Sequence, residues 1–163
     1  MKLILGSASP RRKEILAQVG IIPFEIRAPN IDETPLAKEL PLQYCRRITE
    51  KKILALKLAD DEIAICADTT VAVGRRILGK PSDRDEANSF LSLLSGRRHK
   101  VITCVAVRKQ NKIRTKEVVS RVLCLRSRSP WMLLETIRRS RSSGVSCLHL
   151  WSLWTLFWDH SQE

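Results

Sequence analysis

The first twelve residues join a short apolar run to a turn and a helix start. Residues 3–5 are Leu, Ile and Leu, which is typical of a buried strand, and residues 6–9 have the composition of a tight turn. Ser9 is a favourable N-cap, and Pro10 suits the first helical position. Because helix N-termini attract anions, the serines and arginines here predict a phosphate site on a strand–turn–helix unit. An ordinary capped helix with surface arginines fits the same residues.

The chain up to residue 125 continues with alternating helical and extended patterns. Apolar residues at helical spacing predict helices over residues 11–19, 42–58 and 83–94. Extended patterns predict strands over 23–27, 63–67, 100–107 and 112–125, and a hairpin over 71–78. Ser82 is the expected cap of the third helix. This order predicts an α/β fold in which a mixed, twisted sheet carries flanking helices.

Composition narrows the class of protein. The chain has 163 residues, of which 44% are apolar, enough for one domain with a core. No apolar run is long enough to span a bilayer and the N-terminus lacks a signal-peptide pattern, so a cytoplasmic location is expected. The cysteines are scattered, which argues against a zinc site and a disulfide framework. Cys66 and Cys104 lie in apolar runs and are expected to pack as small hydrophobic residues.

The formal net charge of +12 points to an anionic partner. Basic surfaces bind nucleic acids, and this interpretation stays open. However, the basic residues are dispersed, the first 120 residues contain few aromatic residues for base stacking, and zinc-finger and RNP motifs are absent from the sequence. A positive cleft also concentrates small polyanions, so the charge favours a small polyanionic substrate over nucleic acid.

Three further residues suggest chemistry on such a substrate. Asp68 follows the predicted strand 63–67, at a position where α/β proteins bind ligands. Glu33 lies in a loop bordered by prolines, and Lys80 lies at the exit of the hairpin. Carboxylates hold hard cations such as Mg²⁺, while lysine and arginine neutralise phosphate oxygens. Each residue also has an ordinary explanation, since Asp68 suits a cap or ion pair and Lys52 suits a helix surface.

Taken in order, these motifs resemble the Maf family over about residues 1–127. The motifs are Ser7-Ala8-Ser9-Pro10-Arg11-Arg12, Asp32-Glu33, Arg47 with Lys52, Ala67-Asp68-Thr69, Gly79-Lys80-Pro81 and Leu94-Ser95-Gly96-Arg97-Arg98-His99. The resemblance implies an inosine-triphosphatase-like fold and a nucleoside triphosphate pyrophosphatase. Such an enzyme releases a monophosphate and pyrophosphate, uses a divalent metal (Mg²⁺ or Mn²⁺), and often forms a homodimer.

The resemblance also implies a role for each matching residue. Asp68 matches the catalytic acid/base and, with Glu33, would hold the metal. The expected triphosphate ligands are Ser7, Arg11 or Arg12, Lys52 and Lys80. Arg12 and Thr69 resemble the branch that acts on dTTP and UTP, with modified nucleotides as further substrates. The branch that acts on 7-methyl-GTP lacks this pair and is the alternative.

The final segment departs from the family pattern. Residues 128–163 are rich in Ser, Arg and Trp and lack the family's later motifs, including its substrate-reading glutamine. We hypothesise a frameshifted, poorly ordered tail following the Maf-like domain at 1–127, with a fold incomplete at the C-terminus. Two alternatives to an active enzyme follow. One is a catalytically impaired nucleotide-binding or regulatory protein linked to septum inhibition, and the other is a non-functional product of a disrupted gene.

Overall fold

The computed structural model describes residues 1–124 and residue 126. The predicted tail, residues 128–163, lies outside this part of the chain, so the expected domain boundary stays a prediction. The strands are β1 (Lys2–Leu5), β2 (Glu25–Ile26), β3 (Glu62–Val73), β4 (Arg76–Leu78), β5 (Arg98–Lys109) and β6 (Lys112–Leu123). The helices are α1 (Pro10–Gln18), α2 (Pro41–Leu54) and α3 (Arg84–Leu94).

The strands form one six-stranded mixed sheet, which confirms the predicted α/β class. The order is β2-β1-β3-β5-β6, and β4 pairs with β3. β1 runs parallel to both β2 and β3, with Leu5 opposite Ile26 and Ile65. The predicted hairpin is present, because β3 and β4 are antiparallel and pair Val71 with Leu78. Gly74 lies in its turn at a φ of 61°, which glycine adopts without strain.

The chain divides into two compact units, each with its own apolar core. The first comprises residues 1–69 and 103–118, and the second comprises residues 70–102 and the described residues from 119 onward. The first core contains Ile4, Ile53, Leu56, Ala64, Cys66 and Ala106. The second contains Val71, Leu78, Phe90, Leu91, Leu94, Val101 and Cys124. Cys66 and Cys104 are fully buried, which confirms that they pack as hydrophobic residues.

Asp68 lies inside β3 rather than after a strand end. β3 continues without a break from Glu62 to Val73, so the predicted strand 63–67 was too short. The parallel neighbour of β3 does end before Asp68, because β1 pairs with β3 only up to Leu5 and Ile65. Asp68 therefore lies on the part of β3 that extends beyond the carboxyl end of its parallel neighbour.

The helices differ from the sequence predictions mainly at their ends and faces. α1 begins at Pro10 after Ser9, as expected, but the Ser9 side chain forms no capping hydrogen bond. Its expected apolar face is open, since Ile15 and Val19 are exposed. α3 is capped by Asp83 and not by Ser82: the Asp83 carboxylate accepts a hydrogen bond from the Glu86 amide at 2.8 Å. None of the helices in the described part of the chain has the length and apolar character that a membrane span requires.

Candidate active site

Helix α2 places Lys52 over the buried face of β3. Alternate residues of β3, including Ala64, Cys66 and Asp68, point to this buried face. Ile53 of α2 packs in one cluster with Ala64 and Cys66. Lys52, which precedes Ile53, is brought by this packing onto Asp68, and both residues are buried. The sequence of α2 explains why a helix forms here. It begins at Pro41, a residue that suits the first helical position, and its buried residues recur at helical spacing.

The Lys52 ammonium joins two carboxylates. Its Nζ lies 2.6 Å from Oδ1 of Asp68 and 2.9 Å from Oε1 of Glu33. The side chains of Lys52 and Asp68 are each only 10% exposed, whereas that of Glu33 is 49% exposed. A buried charge requires a partner, so Lys52 and Asp68 stabilise each other in the folded state. Three predicted site residues from three different elements therefore meet at one point.

The turn after β1 forms a second polar cluster. Ser7 is buried, and its Oγ accepts hydrogen bonds from the Ser9 amide at 3.2 Å and from Nη1 of Arg12 at 2.8 Å. The Ser7 hydroxyl thus holds the guanidinium of Arg12 at the start of α1. This arrangement agrees with the predicted strand–turn–helix unit and places a cation beside a helix N-terminus.

Cys66 lies beneath both clusters. Burial raises the pKa of its thiol to about 11, while the charges of Lys52 and Arg12 act in the opposite direction. Gly6 approaches the same thiol, since a Cβ at this position would overlap the Cys66 Sγ and lie 2.8 Å from Cδ1 of Leu56. The turn at Gly6 therefore packs directly on β3, which brings Ser7 and Arg12 toward the Lys52 side of the strand.

The remaining predicted site residues occupy several positions. Arg11 lies in the first turn of α1, and burial lowers the pKa of its guanidinium, which stays charged at neutral pH. Thr69 follows Asp68 on β3, and its hydroxyl lies 3.3 Å from that of Thr103 on β5. Lys80 belongs to the second unit, where it is exposed after β4. Its part in the site stays a prediction.

Sequence reasoning missed Tyr44 as a member of this site. The Tyr44 hydroxyl donates a hydrogen bond of 2.9 Å to the carbonyl oxygen of Glu33. Burial and the negative charges of Asp68 and Glu33 raise the pKa of Tyr44 to about 12. The sequence contained one usable signal, because residues 44, 48 and 52 are spaced four apart and so lie on one face of α2.

The donor set suits a hard divalent cation. The carboxylates of Glu33 and Asp68 both reach the Lys52 ammonium, so their oxygens converge on one small cation. Mg²⁺ is typically held by one or two carboxylates, with water and substrate phosphates completing the shell. Within residues 1–124 and 126, no group of three or more His, Cys, Asp or Glu side chains is placed to hold a metal. Glu33 and Asp68 are therefore the two residues that would hold such a cation.

Comparisons with known proteins show the family and agree with the fold. The family described as "Maf-like protein" matches residues 2–142. The dTTP/UTP pyrophosphatase of Roseobacter denitrificans is 59% identical over 117 residues, which cover 72% of this chain and 62% of that protein. The dTTP/UTP pyrophosphatase of Ruegeria sp. is 57% identical over 122 residues, covering 75% and 63%. The chain thus spans less than two thirds of the length of these relatives.

A solved structure supports the fold alone. A HAM1 protein from Coxiella burnetii superposes with a TM-score of 0.50 at 11% sequence identity, covering 74% of this chain and 71% of that one. This similarity agrees with the mixed sheet and flanking helices described above. With the family match extending over most of its residues, the chain belongs to the Maf family.

Proposed function

We propose that this protein is a nucleoside triphosphate pyrophosphatase that converts dTTP and UTP to the monophosphate and pyrophosphate. The observation that carries the proposal is the Lys52 ammonium, held by Glu33 and Asp68 beside the turn that presents Ser7 and Arg12. This hydrolysis requires carboxylates that hold a metal and orient a water, next to cations that bind the phosphates. The names of the two relatives support the substrate class.

Asp68 is the proposed base. A water oxygen attacks the α-phosphorus, the bond from that phosphorus to the bridging oxygen of the β-phosphate breaks, and pyrophosphate leaves with the electron pair. Asp68 orients this water and accepts its proton, which then passes to solvent. A divalent metal, when bound by Glu33 and Asp68, supplies charge neutralisation for the phosphate oxygens. Lys52 already lies on both carboxylates and so would be shared between them and the phosphates.

The cations of the site are the proposed triphosphate ligands. Ser7 fixes the Arg12 guanidinium, so this cation is oriented before the substrate arrives. Arg11 lies next to it at the helix N-terminus, where the helix dipole also favours an anion. Lys80 is a further proposed phosphate ligand, because its ammonium is a compact point charge.

Arg12 and Thr69 are the proposed basis for selecting a pyrimidine. A guanidinium and a hydroxyl each donate a hydrogen bond to a base carbonyl, and dTTP and UTP offer two such carbonyls. The Thr69 hydroxyl lies next to that of Thr103, so these two residues offer adjacent donors. Preference for 7-methyl-GTP would contradict this assignment.

Pyrophosphate release from dTTP, UTP and 7-methyl-GTP with Mg²⁺ or Mn²⁺ tests the proposal. We expect Asp68→Asn to lower kcat by about a hundredfold or more, because the proton acceptor is lost. Asp60→Asn is the matched control, since Asp60 is exposed near the start of the same strand, and it should keep full activity. Equal activity of the two variants would overturn the role of Asp68. Nucleotide binding without turnover by the unmodified chain would favour the alternative of a regulatory nucleotide-binding protein.

We also propose a homodimer in the cytoplasm that does not use nucleic acid as its substrate. Light scattering tests the oligomeric state, and the salt dependence of polynucleotide binding tests whether nucleic acid is a partner. Affinity that falls steeply with salt concentration would support a nucleic-acid partner instead.

A further inference from the structure

The loop between β2 and α2 carries Glu33 and is held mainly by side chains of α2. Residues 27–40 contain no regular secondary structure, and Lys38 adopts a φ of 60°. Three hydrogen bonds lie within the loop: the Thr34 amide donates to Oδ1 of Asp32 at 2.9 Å, the Leu36 amide donates to Oε2 of Glu39 at 3.0 Å, and the Glu39 amide donates to the Leu36 carbonyl at 3.1 Å. Around Glu33 and Thr34, further hydrogen bonds come from Tyr44 and Arg47.

Tyr44 binds the loop backbone at Glu33 itself. The residue is only 8% exposed, and its hydroxyl donates to the Glu33 carbonyl at 2.9 Å. A buried phenol requires a hydrogen-bond partner, and this carbonyl supplies it. The bond therefore connects the backbone of Glu33 to a rigid, packed position on α2.

Arg47 binds the next residues of the loop. Its guanidinium forms a two-point contact with the Glu39 carboxylate, with distances of 2.6 Å and 2.7 Å, and donates to the Thr34 carbonyl at 3.1 Å. The same guanidinium lies 5.6 Å from the centroid of the Tyr44 ring, within the range of a cation–π contact. Tyr44 and Arg47 are three residues apart and share one face of α2.

The Glu33 side chain needs this support because its own ion pair is weak. The carboxylate is 49% exposed, and ion pairs at that level of exposure contribute little to the order of a loop. Its partner, Lys52, is shared with the more deeply buried Asp68. Any ligand that draws Lys52 away leaves Glu33 held only through its backbone.

We propose that Tyr44 and Arg47 are positioning residues that keep the Glu33 carboxylate at the site when Lys52 turns toward a phosphate ligand. The inference rests on the proposed function for the identity of that ligand. Tyr44 binds the carbonyl of Glu33 and Arg47 binds that of Thr34, so the two hydrogen bonds restrain two consecutive peptide units, one on each side of the Thr34 Cα. Neither residue touches the reacting atoms.

Tyr44→Phe is the first test, because it removes the hydroxyl and keeps the ring under Arg47. We expect the dissociation constant for Mn²⁺, measured by calorimetry on the full chain, to rise about fivefold, and the amides of Thr34 and Leu36 to exchange hydrogen about fivefold faster. Thr49→Val is the matched control. Thr49 is a buried residue of the same helix, and its hydroxyl donates to the Cys45 carbonyl at 2.8 Å without touching the loop. This control should change neither quantity.

Arg47→Lys is the second test, since it keeps the charge and removes the planar fork. It should also speed exchange at Thr34 and Leu36. A double variant then separates positioning from general stability. In a Glu33→Gln background, Tyr44→Phe should cause no further loss of Mn²⁺ affinity, because the carboxylate through which it acts is gone.

Three results would overturn the inference. The first is an effect of Tyr44→Phe no larger than that of Thr49→Val. The second is an equal loss of Mn²⁺ affinity in the Glu33→Gln background. The third is unchanged exchange at Thr34 and Leu36 in both Tyr44→Phe and Arg47→Lys. A wild-type chain that releases no pyrophosphate contradicts the proposed function instead, and amide exchange still reports on the loop in that case.

Discussion

The Nζ of Lys52 lies 2.6 Å from Oδ1 of Asp68, and the two side chains come from a helix and a strand that pack through the same core. This pair links the fold to the site. Packing of α2 on β3 brings the two charges together, and their attraction offsets the desolvation cost of burying both. Stability and the proposed chemistry therefore depend on the same two residues.

Lys52→Met tests the stabilising part of this pair. The variant keeps much of the side-chain volume but leaves Asp68 buried without its ammonium, which should cost about 3 kcal/mol in the free energy of unfolding. Urea denaturation at neutral pH measures the loss. Lys51→Met is the matched control, because Lys51 is the exposed neighbour on α2, and its cost should stay within about 0.5 kcal/mol. Similar costs for the two variants would show that the pair does not stabilise the fold.

Acid should weaken a different ion pair. Arg27 donates two hydrogen bonds to the Glu62 carboxylate at 2.7 Å and 2.8 Å, and this contact lowers the pKa of Glu62 from 4.5 to about 2. Because the pKa is lower in the folded state, the stabilisation is complete above pH 4.5 and disappears as the pH falls toward 2. The same guanidinium also lowers the pKa of Glu25, so part of the acid sensitivity belongs to that residue.

Glu62→Gln isolates the contribution of Glu62 to this acid sensitivity. Urea midpoints measured between pH 5 and pH 2 should show a gap between wild type and Glu62→Gln that narrows as the pH falls. Glu14→Gln, at an exposed position of α1, should follow the wild-type curve. A gap that stays constant across this pH range would rule out protonation of Glu62 as the cause.

Gly6→Ala tests the close approach of the first turn to β3. The added methyl would overlap the Cys66 Sγ and crowd Leu56, so we expect a loss of about 1–3 kcal/mol from overpacking. Gly79→Ala provides the comparison, since nothing lies within 4 Å of a Cβ at Gly79. Thermal denaturation of the two variants should separate them, and a wild-type melting temperature for Gly6→Ala would contradict the packing described here.

Asp83→Ala tests which residue caps α3. Loss of the hydrogen bond from the Glu86 amide should cost about 1 kcal/mol, whereas Asp83→Asn retains an acceptor and should cost much less. Ser82→Ala removes the exposed hydroxyl's bonds to the Asp83 and Glu86 carboxylates but keeps the bond from the residue 82 amide to Glu86, so its cost should stay within about 0.5 kcal/mol. A larger cost for Ser82→Ala than for Asp83→Ala in urea denaturation would restore Ser82 as the cap.

Local sequence patterns were enough to predict most elements of the fold. The turn at Gly74 and the helix around Lys52 follow from residue type and spacing, and the structure confirms both. The continuation of β3 through Asp68 to Val73 was not predicted, because strand length depends on neighbouring strands rather than on local composition. The cap of α3 was assigned one residue too early, since Ser82 and Asp83 are both good caps and only the backbone geometry separates them.

The contacts of the site lie beyond the range of such patterns. Lys52 was predicted as a phosphate ligand, with an ordinary helix-surface residue as the alternative. In the structure it is buried between two carboxylates, from Asp68 sixteen residues away and from a distant loop. Tyr44 contacts a carbonyl eleven residues away. Every residue has a backbone carbonyl, so the sequence does not indicate which one Tyr44 binds. These contacts depend on how α2 packs, which single-sequence reasoning does not provide.

The unequal lengths of β1 and β3 make the site sensitive to strand register. Leu5 pairs with Ile65, and Asp68 lies three residues further along β3, on the face that α2 covers. A slip of one residue in β3 would reverse which of its side chains face α2, so Asp68 would turn away from Lys52 and Ala67 or Thr69 would take its place on the inner face. A misregistered chain could therefore keep its strands and helices and still separate Asp68 from Lys52, so the proposed site depends on the pairing of Leu5 with Ile65.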